Sequence, residues 1–151
     1  NYGKDYGFRG NAYAEISFTK DLKLRTQYSL DLGFGNRYTF NPSYTFGALS
    51  NEVREGSRTK STSENWIWNN LLTYNKTFGS HTINAMLGQE MQESSWENLY
   101  GYRSGYITNG ATDLNAGDAT TARNSNASSI SSISSYFGRL FYSFNDKKTQ
   151  F

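Results

Sequence analysis

The side chains best equipped for chemistry in this chain are aromatic rings beside an arginine: Trp96, Tyr100, Tyr102, Arg103 and Tyr106 follow one another closely. Aromatic faces stack on sugar rings, and a guanidinium holds hydroxyls or carboxylates, so these five are the candidate ligand contacts. A plain aromatic rim is the competing account of the same residues. Asp113, Asn115 and Asp118 have the spacing of an oxygen-ligand calcium loop, but Gly117 stands at the fifth position and Asn124 where the closing Glu belongs, which favours a solvated loop. Glu90, Glu93 and Glu97 could furnish the carboxylate pair of a glycosidase, yet nothing in the sequence sets one pKa against another. His81 is the single histidine and sits beside a turn, as a surface residue would. No Ser/His/Asp set and no phosphate-cradling glycine loop is present, so the expectation is a protein with no catalytic residues, no metal and no cofactor.

The elements that must position the aromatic group are strands. From Phe8 to Phe34 (FRGNAYAEISFTKDLKLRTQYSLDLGF) the even positions are mostly apolar and the odd ones polar. Side chains alternate between the faces of a strand, so this reads as two long amphipathic strands joined by a short turn centred on Lys20. That register sets Ile16 opposite Leu24, Ala12 opposite Tyr28 and Phe8 opposite Leu32. It also sets Glu15 opposite Arg25 and Arg9 opposite Asp31, so one choice serves both faces. Strands of about 9 to 11 tilted residues cross a bilayer, whereas those of soluble sandwiches average about 5 to 6. The apolar row is therefore expected to face lipid and the charged row a polar interior.

Residues 35–65 lose the alternation and read as a long polar loop, with a weak period of two at Tyr38, Phe40, Tyr44 and Phe46. Residues 66–91 form a second hairpin about Gly79 and Ser80, in which Ile83, Ala85, Leu87 and Met91 face Lys76, Tyr74, Leu72 and Trp68. Asn70 interrupts its apolar row. Trp66 and Trp68 lie at one end, Tyr74 and Phe78 towards the other, as rings gather at the two bilayer interfaces. Residues 92–131 read as a second long loop ending in the serine-rich NSNASSISSIS. A last strand runs from about Ser134 to Phe144, and Asn145, Asp146 and Lys147 read as another short turn. Short turns thus alternate with long loops, the pattern of outer-membrane barrels.

Composition agrees. The 151 residues amount to one domain, without cysteine, and a net charge of +2 argues against nucleic acid as a partner. Aromatics reach 17% beside a mean hydropathy of -0.74. No run resembles a transmembrane helix, which a β-barrel does not need. The fold class expected is all-β: antiparallel up-and-down strands forming a segment of a large transmembrane β-barrel with long extracellular loops. Five strands cannot close such a barrel, and a secretory leader is expected ahead of it, so residues 1–151 are expected to be part of a larger barrel domain. The alternative is a soluble carbohydrate-binding β-sandwich or small β-barrel in which the loops add strands.

NWIWNNLLTYNKTFGSHTINAMLGQE (Asn65 to Glu90) followed by SSYFGRLFYSFNDK (Ser134 to Lys147) resembles the barrel of the SusC/RagA-type TonB-linked outer-membrane transporters. The resemblance implies a bacterial outer-membrane location and a plugged barrel of about 22 strands. It further implies import of glycan oligosaccharides or peptides, a SusD-like surface lipoprotein that closes over the barrel, and energy from the TonB complex. The chain carries no match to the plug or the TonB-contacting segment, so those residues are expected outside it.

Overall fold

The computed structural model describes residues 1–111 and 113–144, and the backbone of 149–150. Five long strands carry it: β1 (Tyr2–Ser17), β2 (Leu22–Asn41), β5 (Glu55–Phe78), β6 (His81–Ser104) and β7 (Arg123–Phe144). Between β2 and β5 lie the short β3 (Tyr44–Phe46) and β4 (Leu49–Asn51), which pair with each other. A last short strand, β8 (Thr149–Gln150), pairs antiparallel with the end of β7. The main sheet has the order β1-β2-β5-β6-β7-β8, an up-and-down meander. The turn expected at Asn145, Asp146 and Lys147 lies outside the described residues.

By packing, the chain divides into two units. One comprises Arg9–Asp31, Asn65–Ser94 and Ser131–Phe151. Here the hairpin register is the one the alternation requires. The Phe18 amide donates to the Leu22 carbonyl at 3.0 Å, and Arg9 Nε donates to Asp31 Oδ2 at 3.0 Å. The second hairpin also folds as expected, with Thr77 against Thr82 (3.2 Å) and Asn70 against Gln89 (3.4 Å), about a turn where Gly79 takes a φ of 59°. Only a residue without Cβ adopts that φ at little cost.

One expected pair does not form. Glu15 meets Lys23 Nζ at 3.5 Å, while the Arg25 guanidinium lies 4.6 Å from the centre of the Tyr13 ring and donates to Gln27. A planar, weakly hydrated cation gains from an aromatic face, so the flexible lysine one diagonal step away takes the carboxylate.

Within this unit the even row of β1, β2, β5 and β7 and the odd row of β6 share the apolar face, which no second layer of the described residues covers. Leu87 is 64% exposed and Leu140 70%. A soluble sandwich would bury both, so the sandwich expectation is not met. Asn70 is accommodated in this row by a ladder of polar side chains, donating to Gln89, which donates to the Tyr136 hydroxyl at 3.3 Å. Within this unit the last apolar residues of the row are Trp66 on β5, Met91 on β6 and Tyr136 on β7. Across the ladder Trp66 meets Glu93, and Met91 meets Ser134, so the band slides along the strands from one to the next. A band level with a membrane must do this when strands tilt by about 35–45°, by roughly one to two residues per strand.

The other unit comprises Asn1–Phe8, Leu32–Glu64 and Ser95–Ile130. The two expected loops are largely strand here: β2 continues to Asn41, β5 begins at Glu55, β6 runs to Ser104 and β7 starts at Arg123 within the serine-rich run. Alternation disappears because neither face is apolar, and pairing with neighbouring strands holds these segments extended. Loop and two short 3-10 turns (Leu114–Ala116 and Ala119–Thr121) are left at 105–111 and 113–122. This stretch packs on the sheet face that carries Tyr38, Phe40 and Arg58, and Tyr106 is its buried centre, 2% exposed.

Candidate ligand-contact face

The strand alternation of β6 divides the five aromatic and arginine candidates. Trp96, Tyr100 and Tyr102 stand on the polar face, shared with the odd residues of β1, β2, β5 and β7. Arg103 points to the opposite face and Tyr106 follows the strand end.

Around Tyr102 the polar face is bonded into a network. The Tyr102 hydroxyl donates to Glu55 Oε2 at 2.8 Å, Asn41 Nδ2 donates to Glu55 Oε1 at 2.7 Å, and the Arg123 guanidinium lies 5.7 Å from the Tyr102 ring centre. The donations from Asn41 and then Tyr102 hold the Glu55 carboxyl below its usual range. The same bond, donated to an ionised partner, pushes the Tyr102 phenol up.

Arg103 and Tyr106 serve the loop. Arg103 Nη1 donates to the Gly117 carbonyl at 3.3 Å, and Arg54 Nη1 to the Tyr106 carbonyl at 3.2 Å. The Tyr106 ring meets Phe40 edge-on with centroids 5.2 Å apart, above Gly56, where a Cβ would come within 2.6 Å of the phenol oxygen. Both faces of that ring are thus taken up by protein, and burial pushes its phenol up.

The calcium-like triplet is split between tasks. Asp113 pairs with Arg58 at 3.4 Å, and Asp118 caps a 3-10 turn by accepting from the amide and hydroxyl of Thr120, each at 2.8 Å. Those bonds hold the Asp118 carboxyl below its ordinary range. Among the described residues no cluster of three metal-ligating side chains forms. Glu93 accepts from Ser132 and Glu97 from Asn126, both at 2.9 Å, while Glu90 stands on the opposite face, so the three acids make no catalytic pair. His81 shares a 2.7 Å hydrogen bond with the Tyr142 hydroxyl and packs with Phe78 and Phe144, as part of an aromatic group where β5 turns into β6.

Sequence reasoning missed the floor in front of Trp96. On β2, Gly33 and Gly35 lie beside Ser63 and Ser61 of β5, with Asp5 of β1 beyond. Asp5, Gly33, Gly35, Ser61, Ser63 and Trp96 line a cavity of about 290 Å³. The signal available was a run of small residues at every second position, GFG beside STS.

No family model matches the chain. It is 28% identical to TonB-dependent receptor P3 of Formosa agariphila over 145 residues and 32% identical to TonB-dependent receptor P26 of the same organism over 146. Each match covers 93% of this chain and 14% of the relative, so the chain spans about a seventh of the length of these relatives. Among solved structures it superposes on the RagAB peptide transporter with a TM-score of 0.86 at 17% identity, over 95% of this chain and 16% of that one. The open-open state of the RagAB peptide importer gives 0.85 at 18% identity, again over 95% and 16%. The resemblance read from the two sequence blocks therefore extends over nearly all of the chain, which has the fold of a stretch of RagA-type barrel wall and is similar in sequence to TonB-dependent receptors.

Proposed function

We propose that this chain is barrel wall and extracellular loop in a TonB-dependent importer of the bacterial outer membrane, one that takes up oligosaccharides or peptides. It is a passive structural part with no reaction of its own. The apolar face of the Arg9–Asp31, Asn65–Ser94 and Ser131–Phe151 unit meets lipid, and the polar face lines the conduit. Trp96, Tyr100 and Tyr102 then stand at the ligand entrance. A SusD-like lipoprotein covers that entrance, and the plug and TonB contact are supplied by residues outside this chain. The observation that carries this reading is the open apolar row of that unit on β1, β2, β5, β6 and β7, whose edge slides from β5 to β7 as tilted strands require.

The test uses the full-length protein reconstituted in bilayers, with a fluorophore attached at Leu87→Cys or at Asn84→Cys. Acyl chains brominated at mid-depth should quench the first strongly and the second little. Equal quenching would remove the lipid-facing assignment, and the importer reading with it.

A further inference from the structure

We propose that the trough between Asp5 and Trp96 is a subsite for one neutral pyranose ring. The proposal rests on the reading that this polar face lines the ligand's path. Its floor is two strands wide, made of Gly33 and Gly35 on β2 and of Ser61 and Ser63 on β5. A Cβ on Gly33 would sit 2.5 Å from Ser63 Oγ, and one on Gly35 would run into Ser61 Oγ and lie 3.0 Å from Asp5 Oδ1. The Ser63 and Ser61 hydroxyls thus lie over Gly33 and Gly35, and the missing Cβ atoms let these polar groups sit low on the floor, where any other residue would displace them. Trp96 stands directly across the ladder from Ser63 and is 47% exposed, a wall over that floor. Asp5 on β1, also exposed, reaches over Gly35 and forms the opposite wall.

The chemistry of these walls selects the ligand. A pyranose has an apolar C–H face, which an indole ring covers, and an equatorial rim of hydroxyls. A carboxylate accepts from two such hydroxyls, and serine hydroxyls both accept and donate. Asp5 has no basic neighbour lining the trough, which disfavours sulfated or uronic sugars. A peptide needs free backbone donors and acceptors, and β2 and β5 are interior strands whose backbone groups are spent on the ladders. The volume of about 290 Å³ lies at the low end of small-molecule sites, so one ring of a longer chain fits it.

The experiment takes the full-length protein in bilayers and first labels Ser61→Cys with a water-soluble maleimide. Failure to label would sink the orientation on which the trough depends. With labelling achieved, glucose, galactose, mannose and their β-linked tetramers are titrated calorimetrically, alongside tetra-alanine as the peptide probe. Binding of at least one neutral tetramer is expected, weakened about 10-fold by Trp96→Ala and several-fold by Asp5→Asn. Gly35→Val should fill the floor and remove it. If Ser61→Cys labels but no sugar binds, if sugar binding ignores all three substitutions, or if tetra-alanine alone responds to them, the subsite is refuted and the wall reading survives.

Discussion

Phe137 of β7 lies over Gly88 of β6, its ring filling the space that a Cβ on Gly88 would need. The relation is mutual, since a flat glycine on the polar face leaves a gap that an aromatic from the next strand closes. Gly88→Ala should therefore displace the ring and destabilise the protein by about 1–3 kcal/mol. The readout is the temperature at which the full-length protein loses its detergent-resistant compact form on a gel. Replacing Phe137 by Leu as well should return part of that loss. A double variant no better than Gly88→Ala alone would mean that the ring is not what the new methyl group meets.

Leu87 and Asn84 lie three residues apart on β6, on opposite faces. An arginine facing hydrocarbon near the bilayer centre costs about 2–4 kcal/mol, and one facing a wet interior costs little. Leu87→Arg should thus lower the urea midpoint of the full-length protein in bilayers far more than Asn84→Arg. Similar costs at the two sites would contradict the face assignment.

How much of this was legible depended on how much of each strand touches two different solvents. The opening hairpin could be read down to its register, because the same pairing that aligns Ile16 with Leu24 aligns Arg9 with Asp31. The Glu15 and Arg25 pair could not, because two cations compete for one carboxylate and the Tyr13 ring decides between them. Beyond the apolar band the signal vanishes. The serine-rich run on β7 reads as loop, yet it is strand, held by its neighbours rather than by its own pattern. The loop at 105–122 was the least readable, since Tyr106 is buried by a fold-back no local spacing announces. The candidate site was half visible: Trp96 stands out in the sequence, whereas Gly33 and Gly35 matter only once Ser61 and Ser63 are beside them.

Asp118 makes the loop sensitive to acid. Its folded pKa lies below the ordinary aspartate value of about 3.9, so its contribution is present above that pH and is lost as the pH falls through the lowered value. Amide exchange at Thr120, corrected for its intrinsic pH dependence, should stay protected from pH 7 to about 4 and lose protection only below. In Asp118→Ala it should be unprotected throughout. Wild-type protection lost already near neutrality would show that another group governs the turn.

The pairing of Tyr102 with Glu55 gives the opposite, alkaline signature. The phenol donates to an ionised carboxylate, so its folded pKa is raised, and the bond it contributes persists above the ordinary tyrosine value of about 10 until the pH passes the raised one. Glu55→Gln removes the charge but keeps an acceptor, so Tyr102 should titrate closer to 10 while its ring stays beside Arg123. Glu55→Ala removes both and should free the ring to rotate away. Carbon-13 labelling of tyrosine in the full-length protein, with the Tyr102 resonance assigned by Tyr102→Phe, separates these outcomes. A Tyr102 titration unchanged by Glu55→Gln would mean that burial rather than the carboxylate sets it. The network would then be a packing contact that does not fix the ring.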